Sequence, residues 1–111
     1  TALRIAASFG GGIGRMRQTC GAACGMFLLA GLQNGSFTPG DAEGEKNNYT
    51  LVQDLAAKFN AENGSLICAD LLGIAPKAQD PTPEARTDAY YQKRPCAEMV
   101  ASAVRIYLEN L

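Results

Sequence analysis

Thr19-Cys20-Gly21-Ala22-Ala23-Cys24-Gly25, followed by Met26-Phe27-Leu28-Leu29-Ala30-Gly31-Leu32, is the stretch on which the reading of this chain turns. Two of the four cysteines lie here, four positions apart, among residues no larger than methyl. Gly21, Ala22 and Gly25 let another backbone or a cofactor come close. The run from Met26 is apolar all round, which predicts a central helix buried on most sides. With Thr19 as its N-cap, that helix is expected over Thr19 to Gln33, and Asn34-Gly35 stops it. Its first turn carries Cys20, where free amide donors and the positive end of the dipole favour a thiolate.

Outward from this helix, the other segments also read as helical. Leu3, Ile5, Ala6 and Phe9 share one face of a short N-terminal helix. Gly10-Gly11-Gly12-Ile13-Gly14 breaks it. That turn follows a helix rather than a strand and lacks a Gly-Lys-Ser/Thr ending, so close backbone packing is expected there rather than phosphate binding. Ser36 to Asn47 reads as a loop, with Asn48 capping a helix whose apolar face is Leu51, Val52, Leu55, Ala56 and Phe59. Ser65 is expected to cap a short helix, Leu66 to Leu72, ended by Gly73 and Pro76. Ile74 to Lys93 looks irregular, with Pro76, Pro81 and Pro83. Pro95 suits the first turn of a last helix, whose spacing suggests Val100, Val104, Tyr107, Leu108 and Leu111 as the apolar stripe. No alternating strand pattern is visible. The expected fold is all-α: one domain over residues 1–111, a small bundle of four to five helices around a buried central one.

Composition narrows the function. The chain of 111 residues is 47% hydrophobic with net charge −1, which leaves no electrostatic footprint for nucleic acid. No apolar run is long enough to span a bilayer and no signal peptide is visible, so no membrane insertion and a cytoplasmic location are expected. There are four cysteines and no histidine. Cys-His catalysis is therefore excluded within the chain, and a metal site would have to be all-thiolate or use carboxylates. Cys20, Cys68 and Cys96 each fall at the start of an expected helix. If those helix ends meet, three sulfurs converge, and Cys24, one turn after Cys20, adds a fourth. The alternative is that each is a small buried hydrophobe, a reading that weighs most for Cys24.

These residues resemble a known family. Phe9-Gly10-Gly11-Gly12-Ile13-Gly14-Arg15-Met16, then Cys20-Gly21-Ala22 with Gly25, then Gly64-Ser65 leading to Cys68 and Leu71-Leu72-Gly73, then Cys96 ahead of a helix, is similar to the redox-active family named for its C_GCAxxG_C_C cysteine pattern. The resemblance covers nearly the whole chain. It implies a small bacterial or archaeal helical protein with a redox role, often encoded near transporters, so an unidentified redox partner or transporter-linked protein is the implied partner. It also implies a relation to a cysteine domain that accompanies split-Soret cytochromes, where an iron–sulfur site is associated with it. The family carries a further cysteine on a helix ahead of the glycine turn, which this sequence starts too late to contain.

Three functions remain open from sequence. The first is thiol/disulfide or electron-transfer chemistry, as of an oxidoreductase. Cys20 would be the attacking thiolate and Cys68 or Cys96 the resolving thiol, since a Cys20–Cys24 bridge would strain a regular helix. The second is a metal or iron–sulfur site on Cys20, Cys24, Cys68 and Cys96, because thiolates select soft metals. The third is a helical interaction module presenting Tyr90-Tyr91 and Lys93-Arg94. Arg15 and Arg17, flanking Cys20, are candidates to stabilise its thiolate, to bind an anion, or to be plain surface charge.

Overall fold

The sequence offers three long helical segments and several breakers between them, and the architecture follows. A computed structural model describes residues 1–35 and 38–111. In chain order the helices are α1 (Ala2–Ala6), a 3-10 turn (Ala7–Phe9), the single turn α2 (Gly10–Ile13), α3 (Gly21–Asn34), α4 (Ala42–Asn63), α5 (Cys68–Leu72), α6 (Asp88–Lys93) and α7 (Cys96–Glu109). The fold is all-α, and the molecule extends 46 × 26 × 24 Å.

The core is where α3, α4 and α7 meet. Leu55 and Phe59 of α4 are fully buried against Ala23, Met26 and Ala30 of α3 and Ala103 and Ile106 of α7. The alanines let the helix backbones approach, and the two large side chains fill what is left. One polar residue enters this packing: buried Ser102 donates to Glu62 Oε2 at 2.7 Å and accepts from Asn63 Nδ2 at 2.9 Å. Its hydroxyl is satisfied at the end of α4, so its burial is cheap.

Three expectations are corrected. The second long helix begins at Ala42, not after Asn47. Asp41 is its N-cap, accepting from the Gly44 amide at 3.0 Å, with Glu43 and Glu45 in the first turn. The opening turns of α4 are polar, so no apolar period marks them, and Asn48 lies inside the helix. Ser36 and Phe37 of the expected loop lie outside the described residues.

The second correction concerns α3, which is buried along one face rather than all round. Leu28, Leu29 and Leu32 are open, the last by 80%. The third concerns α7. Its inward face is Met99, Ser102, Ala103, Ile106 and Tyr107, while Val100, Val104 and Leu108 point outward. The hydrogen bonds of Ser102 to α4 select this face, against the more apolar stripe beside it. Likewise α1 buries none of its residues. Outward apolar residues of α1, α3 and α7 line one groove.

Candidate functional site: a thiol groove

The site is built from the glycine turn. Gly11, Gly12, Ile13, Gly14 and Arg15 all have positive φ, at 66°, 69°, 67°, 57° and 62°. Five successive residues therefore wind left-handed, which costs an L-residue about 1–2 kcal/mol at each position that carries a Cβ. Glycine removes that cost at three of the five. Arg17, at φ 59°, is left-handed again. The turn is held by the Arg17 amide donating to Gly11 O at 3.1 Å and the Gln18 amide to Gly12 O at 2.9 Å.

This winding delivers Gln18 to Cys20 alongside Leu66 to Cys68. Thr19 and Ile67 form an isolated antiparallel bridge. The Cys20 amide donates to Leu66 O at 2.7 Å, and the Cys68 amide donates to Gln18 O at 2.6 Å. In such a pairing side chains alternate between faces. Cys20 and Cys68 both sit one residue beyond the Thr19–Ile67 pair, so their side chains share a face as diagonal neighbours. Sheet geometry puts such Cα atoms about 7–8 Å apart, with Cβ atoms closer. Periodicity cannot reveal this bridge, because a single pair of residues has no period.

Gly12 makes the approach possible. A Cβ there would lie 2.5 Å from Cys68 Cβ, 2.7 Å from the Gln18 amide nitrogen and 2.8 Å from Arg17 Cα. Gly21 does the same on the other side, where a Cβ would lie 2.7 Å from Phe9 O. Gly21 thus admits a neighbouring backbone, and it also lines the groove. Gly25 and Ala22 line the groove, and a Cβ on Gly25 would meet open space.

The thiols occupy defined places. Cys20 is the N-cap of α3, at a helix start without a side-chain cap, and is half-buried. Thr19, the expected cap, is taken up by the bridge. Cys68 is the first residue of α5 and is buried, and Cys96 is the first of α7 behind Pro95. All three line one groove of about 1030 Å³. Cys24 does not line it and is buried among the helices instead. Burial pushes the Cys24 thiol above its ordinary value, and the neighbouring Cys20 charge pushes the same way. The Cys96 thiol is also raised, by desolvation first and then by the charges of Cys20 and Cys68, with Arg94 and Arg17 pulling it down. All four cysteines are free thiols.

Arg17 stands somewhere other than its sequence position suggests. It is neither surface charge nor a partner of Cys20. It is 5% exposed, and its Nη1 donates to Cys68 Sγ at 3.5 Å. Its Nε and Nη2 both donate to Gln79 Oε1, at 3.0 and 2.7 Å. Among the described residues no carboxylate pairs with it. A guanidinium set against a sulfur stabilises negative charge there. Gln79 also accepts from Arg15 Nη2 at 3.2 Å, and its amide donates to Arg15 O at 3.0 Å. No sequence signal points to Gln79, which lies in the irregular stretch before α6.

The helix α6 supplies Tyr90, which lines the groove with the Arg86 guanidinium 4.5 Å and the Arg94 guanidinium 5.5 Å from its ring centre. Among the described residues no group of three or more cysteine, aspartate or glutamate side chains is placed to hold one metal ion. The three thiols of the groove share a cavity without meeting at a point. Among the described residues the thiols are not gathered as one metal or iron–sulfur ligand set.

The profile of the family described as "Putative redox-active protein (C_GCAxxG_C_C)" matches residues 1–110. The chain belongs to this family. No curated protein and no solved structure matches the chain significantly. The C_GCAxxG_C_C match spans the glycine turn, the helix that starts at Cys20, and both later cysteines. Membership carries a redox label and no mechanism. Among the described residues no helix is long and apolar enough to cross a membrane.

Proposed function

We propose that this C_GCAxxG_C_C protein is a thiol-based redox protein that works by exchange between the Cys20–Cys68 pair and an external disulfide. The observation that carries the reading is the backbone pairing of Thr19 with Ile67, which places the two cysteines on one face with Arg17 against Cys68. The spacing that sheet geometry gives such a pair, about 7–8 Å between Cα atoms, is just above the range a disulfide spans, so a small closing movement suffices.

Cys20 is the attacking sulfur. It stands at the free amide end of a 14-residue helix and is more open than Cys68, which is 8% exposed. Its thiolate attacks one sulfur of the partner disulfide, the partner's S–S bond breaks, and one half leaves as a thiolate. The Cys68 thiol gives its proton to solvent and attacks the Cys20 sulfur of the mixed disulfide, expelling the second half. The partner gains two electrons and leaves as a dithiol once protonated; the protein loses two electrons and both thiol protons. Arg17 stabilises the charge on Cys68 as it attacks, and again when Cys68 is the leaving sulfur in the reverse direction. Cys96, its thiol raised by desolvation and then by the neighbouring sulfur charges, is the reserve resolving thiol.

The test is oxidation by glutathione disulfide over a range of ratios to glutathione, followed by alkylation of the remaining thiols and peptide mass mapping. The expected product is a reversible Cys20–Cys68 disulfide with Cys24 fully alkylated after unfolding. A preparation in which Cys20, Cys68 and Cys96 form no intramolecular disulfide at any ratio would refute the proposal. Stoichiometric iron in protein purified without oxygen would refute it in favour of a cluster.

A further inference from the structure

Both arginines of the glycine turn end on one side-chain oxygen. Arg17 donates to Gln79 Oε1 from Nε at 3.0 Å and from Nη2 at 2.7 Å, and Arg15 donates to it from Nη2 at 3.2 Å. Arginine has donors and no acceptor, so the oxygen of the Gln79 amide, not its nitrogen, faces them. A guanidinium is planar, and bonds from its Nε and Nη2 to one atom fix that plane. Nη1 is left for another acceptor, and it lies against Cys68 Sγ at 3.5 Å. Arg15 and Arg17 both reach Gln79 from left-handed backbone, at φ 62° and 59°. A residue with a Cβ holds that conformation only where the surrounding contacts enforce it.

The anchor is neutral, although carboxylates lie close by in the same segment. Asp80, the next residue, accepts from the Thr82 amide at 2.8 Å. Glu84 pairs with Arg94 at 2.5 Å and stands 3.9 Å from Arg15. Among the described residues no carboxylate pairs with Arg17. A carboxylate in place of the Gln79 amide would take the same hydrogen bonds and would also neutralise the guanidinium. The amide holds the guanidinium without cancelling its charge, which stays available to the sulfur. The backbone of this segment is held separately. The Gln79 amide donates to Arg15 O at 3.0 Å, and Arg15 Nε donates to Asp80 O at 2.7 Å. The Gln79 side chain can therefore change while its segment stays docked.

We propose that Gln79 is a positioning residue for thiol exchange: its uncharged amide aims Arg17 at Cys68 and leaves the guanidinium charge to the Cys68 thiolate. Gln79 does not line the groove that holds the thiols, and it acts through Arg17 alone. This role rests on the exchange reading of Cys20 and Cys68.

The test uses reduced protein carrying Cys96→Ser, so that Cys68 alone resolves, and one equivalent of dithiodipyridine, an uncharged aromatic disulfide. The Cys20 thiolate attacks one sulfur and releases a first thiopyridone. Cys68 gives its proton to solvent, attacks the Cys20 sulfur and releases the second. The reagent gains two electrons, and the protein loses two as the Cys20–Cys68 disulfide. Thiopyridone absorbance follows the two phases, and peptide mapping of acid-quenched samples assigns them. At about pH 7, a roughly tenfold smaller thiolate population at Cys68 is partly offset by higher nucleophilicity, so the second phase slows about threefold. That slowing is expected for Gln79→Glu, which keeps the hydrogen bonds but cancels the charge, and for Gln79→Ala, which frees the guanidinium. The first phase is unchanged in both. Arg17→Met slows the second phase as well, and adding Gln79→Glu to it slows it no further. Arg17 is buried, so if Arg17→Met does not fold, the two Gln79 variants decide. The proposal is overturned if Gln79→Glu leaves the second phase unchanged, which would make Gln79 only a clamp on its segment. It is overturned if Gln79→Glu slows that phase and Gln79→Ala does not, which would be plain charge repulsion, or if a folded Arg17→Met does not slow it. A parent protein that shows the first phase alone refutes the exchange itself and the role of Gln79 with it, whereas a parent with both phases and unresponsive Gln79 variants refutes the role only.

Discussion

Replacing Gly12 by alanine tests the geometry on which the thiol site depends. The position has φ 69°, and a Cβ there would lie 2.5 Å from Cys68 Cβ, with the backbone of Gln18 and Arg17 at 2.7 and 2.8 Å. The left-handed backbone costs alanine about 1–2 kcal/mol. Relieving the overlap requires shifting Cys68 and the Arg17–Gln18 backbone, an overpacking cost of about 1–3 kcal/mol. Fewer unfolded conformations return about 0.4–1 kcal/mol. The net loss is about 1–5 kcal/mol, centred near 3, a large share of the stability of a single domain. Gly14→Ala is the control, because φ there is 57° but a Cβ would meet nothing within 4 Å. It carries only the backbone term and should lose about 1 kcal/mol. Urea unfolding of the reduced proteins reads both values, and alkylation of the folded state reads whether Cys68 becomes more reactive in the Gly12 variant. Equal losses in the two variants, within about 0.5 kcal/mol, would show that Gly12 does not press on Cys68 and would refute the account of the turn.

Other outcomes follow from the same contacts. Phe59→Ala removes the largest fully buried side chain among the described residues and should cost about 3–5 kcal/mol by urea unfolding. The Cys24 and Cys96 thiols are raised from 9.0. The folded state therefore holds these protons more tightly than the unfolded chain does, and their contribution to stability is complete below pH 9.0 and declines above it. Chemical denaturation from about pH 8 to about pH 10.5 checks this, with Cys24→Ala and Cys96→Ala each reducing the decline. Glu62 is held below its ordinary value by its hydrogen bond from Arg105 and then by that from Ser102. Its contribution is present above the unfolded value of 4.5 and is lost as pH falls through the lower folded one, so Glu62→Gln should flatten the acid limb of the same curve.

How much of this was legible in the sequence depends on whether a feature is local or set by packing. The helical class and the helix stops at Gly35, Gly64 and Gly73 come from residues acting on their immediate neighbours. So does the placement of Cys20, Cys68 and Cys96 at helix starts. The face that α7 buries is not local. Val100, Val104 and Leu108 form the better apolar stripe, yet Ser102 is buried because Glu62 and Asn63 wait at the end of α4 to bond it. Arg17 escapes a sequence reading for a similar reason. Its distance from Cys20 in sequence is short, but the left-handed turn and the bridge hand its guanidinium across to Cys68, 51 residues away. Gln79, whose side-chain oxygen takes three hydrogen bonds from Arg15 and Arg17, lies in a stretch with no period at all.

The same distinction bears on which cysteines exchange electrons. Cys20 and Cys68 are fixed to each other by main-chain hydrogen bonds running both ways between their segments, so their separation is set by backbone geometry. Cys96 is carried by α7, whose position relative to α3 and α4 is set by side-chain packing around Leu55, Phe59 and Ile106. Cys20 and Leu66 also pack against that cluster, but the hydrogen bonds joining their segments are main-chain ones, so a change in packing moves Cys96 relative to the pair more than it moves the pair. Core variants such as Phe59→Ala should therefore change the rate at which Cys96 enters mixed disulfides more than they shift the Cys20–Cys68 equilibrium with glutathione, provided the protein remains folded. Variants at Gly12 should do the reverse. If Phe59→Ala shifts the Cys20–Cys68 equilibrium as much as Gly12→Ala does, the two thiols are not held by the bridge, and the argument from Thr19 and Ile67 fails.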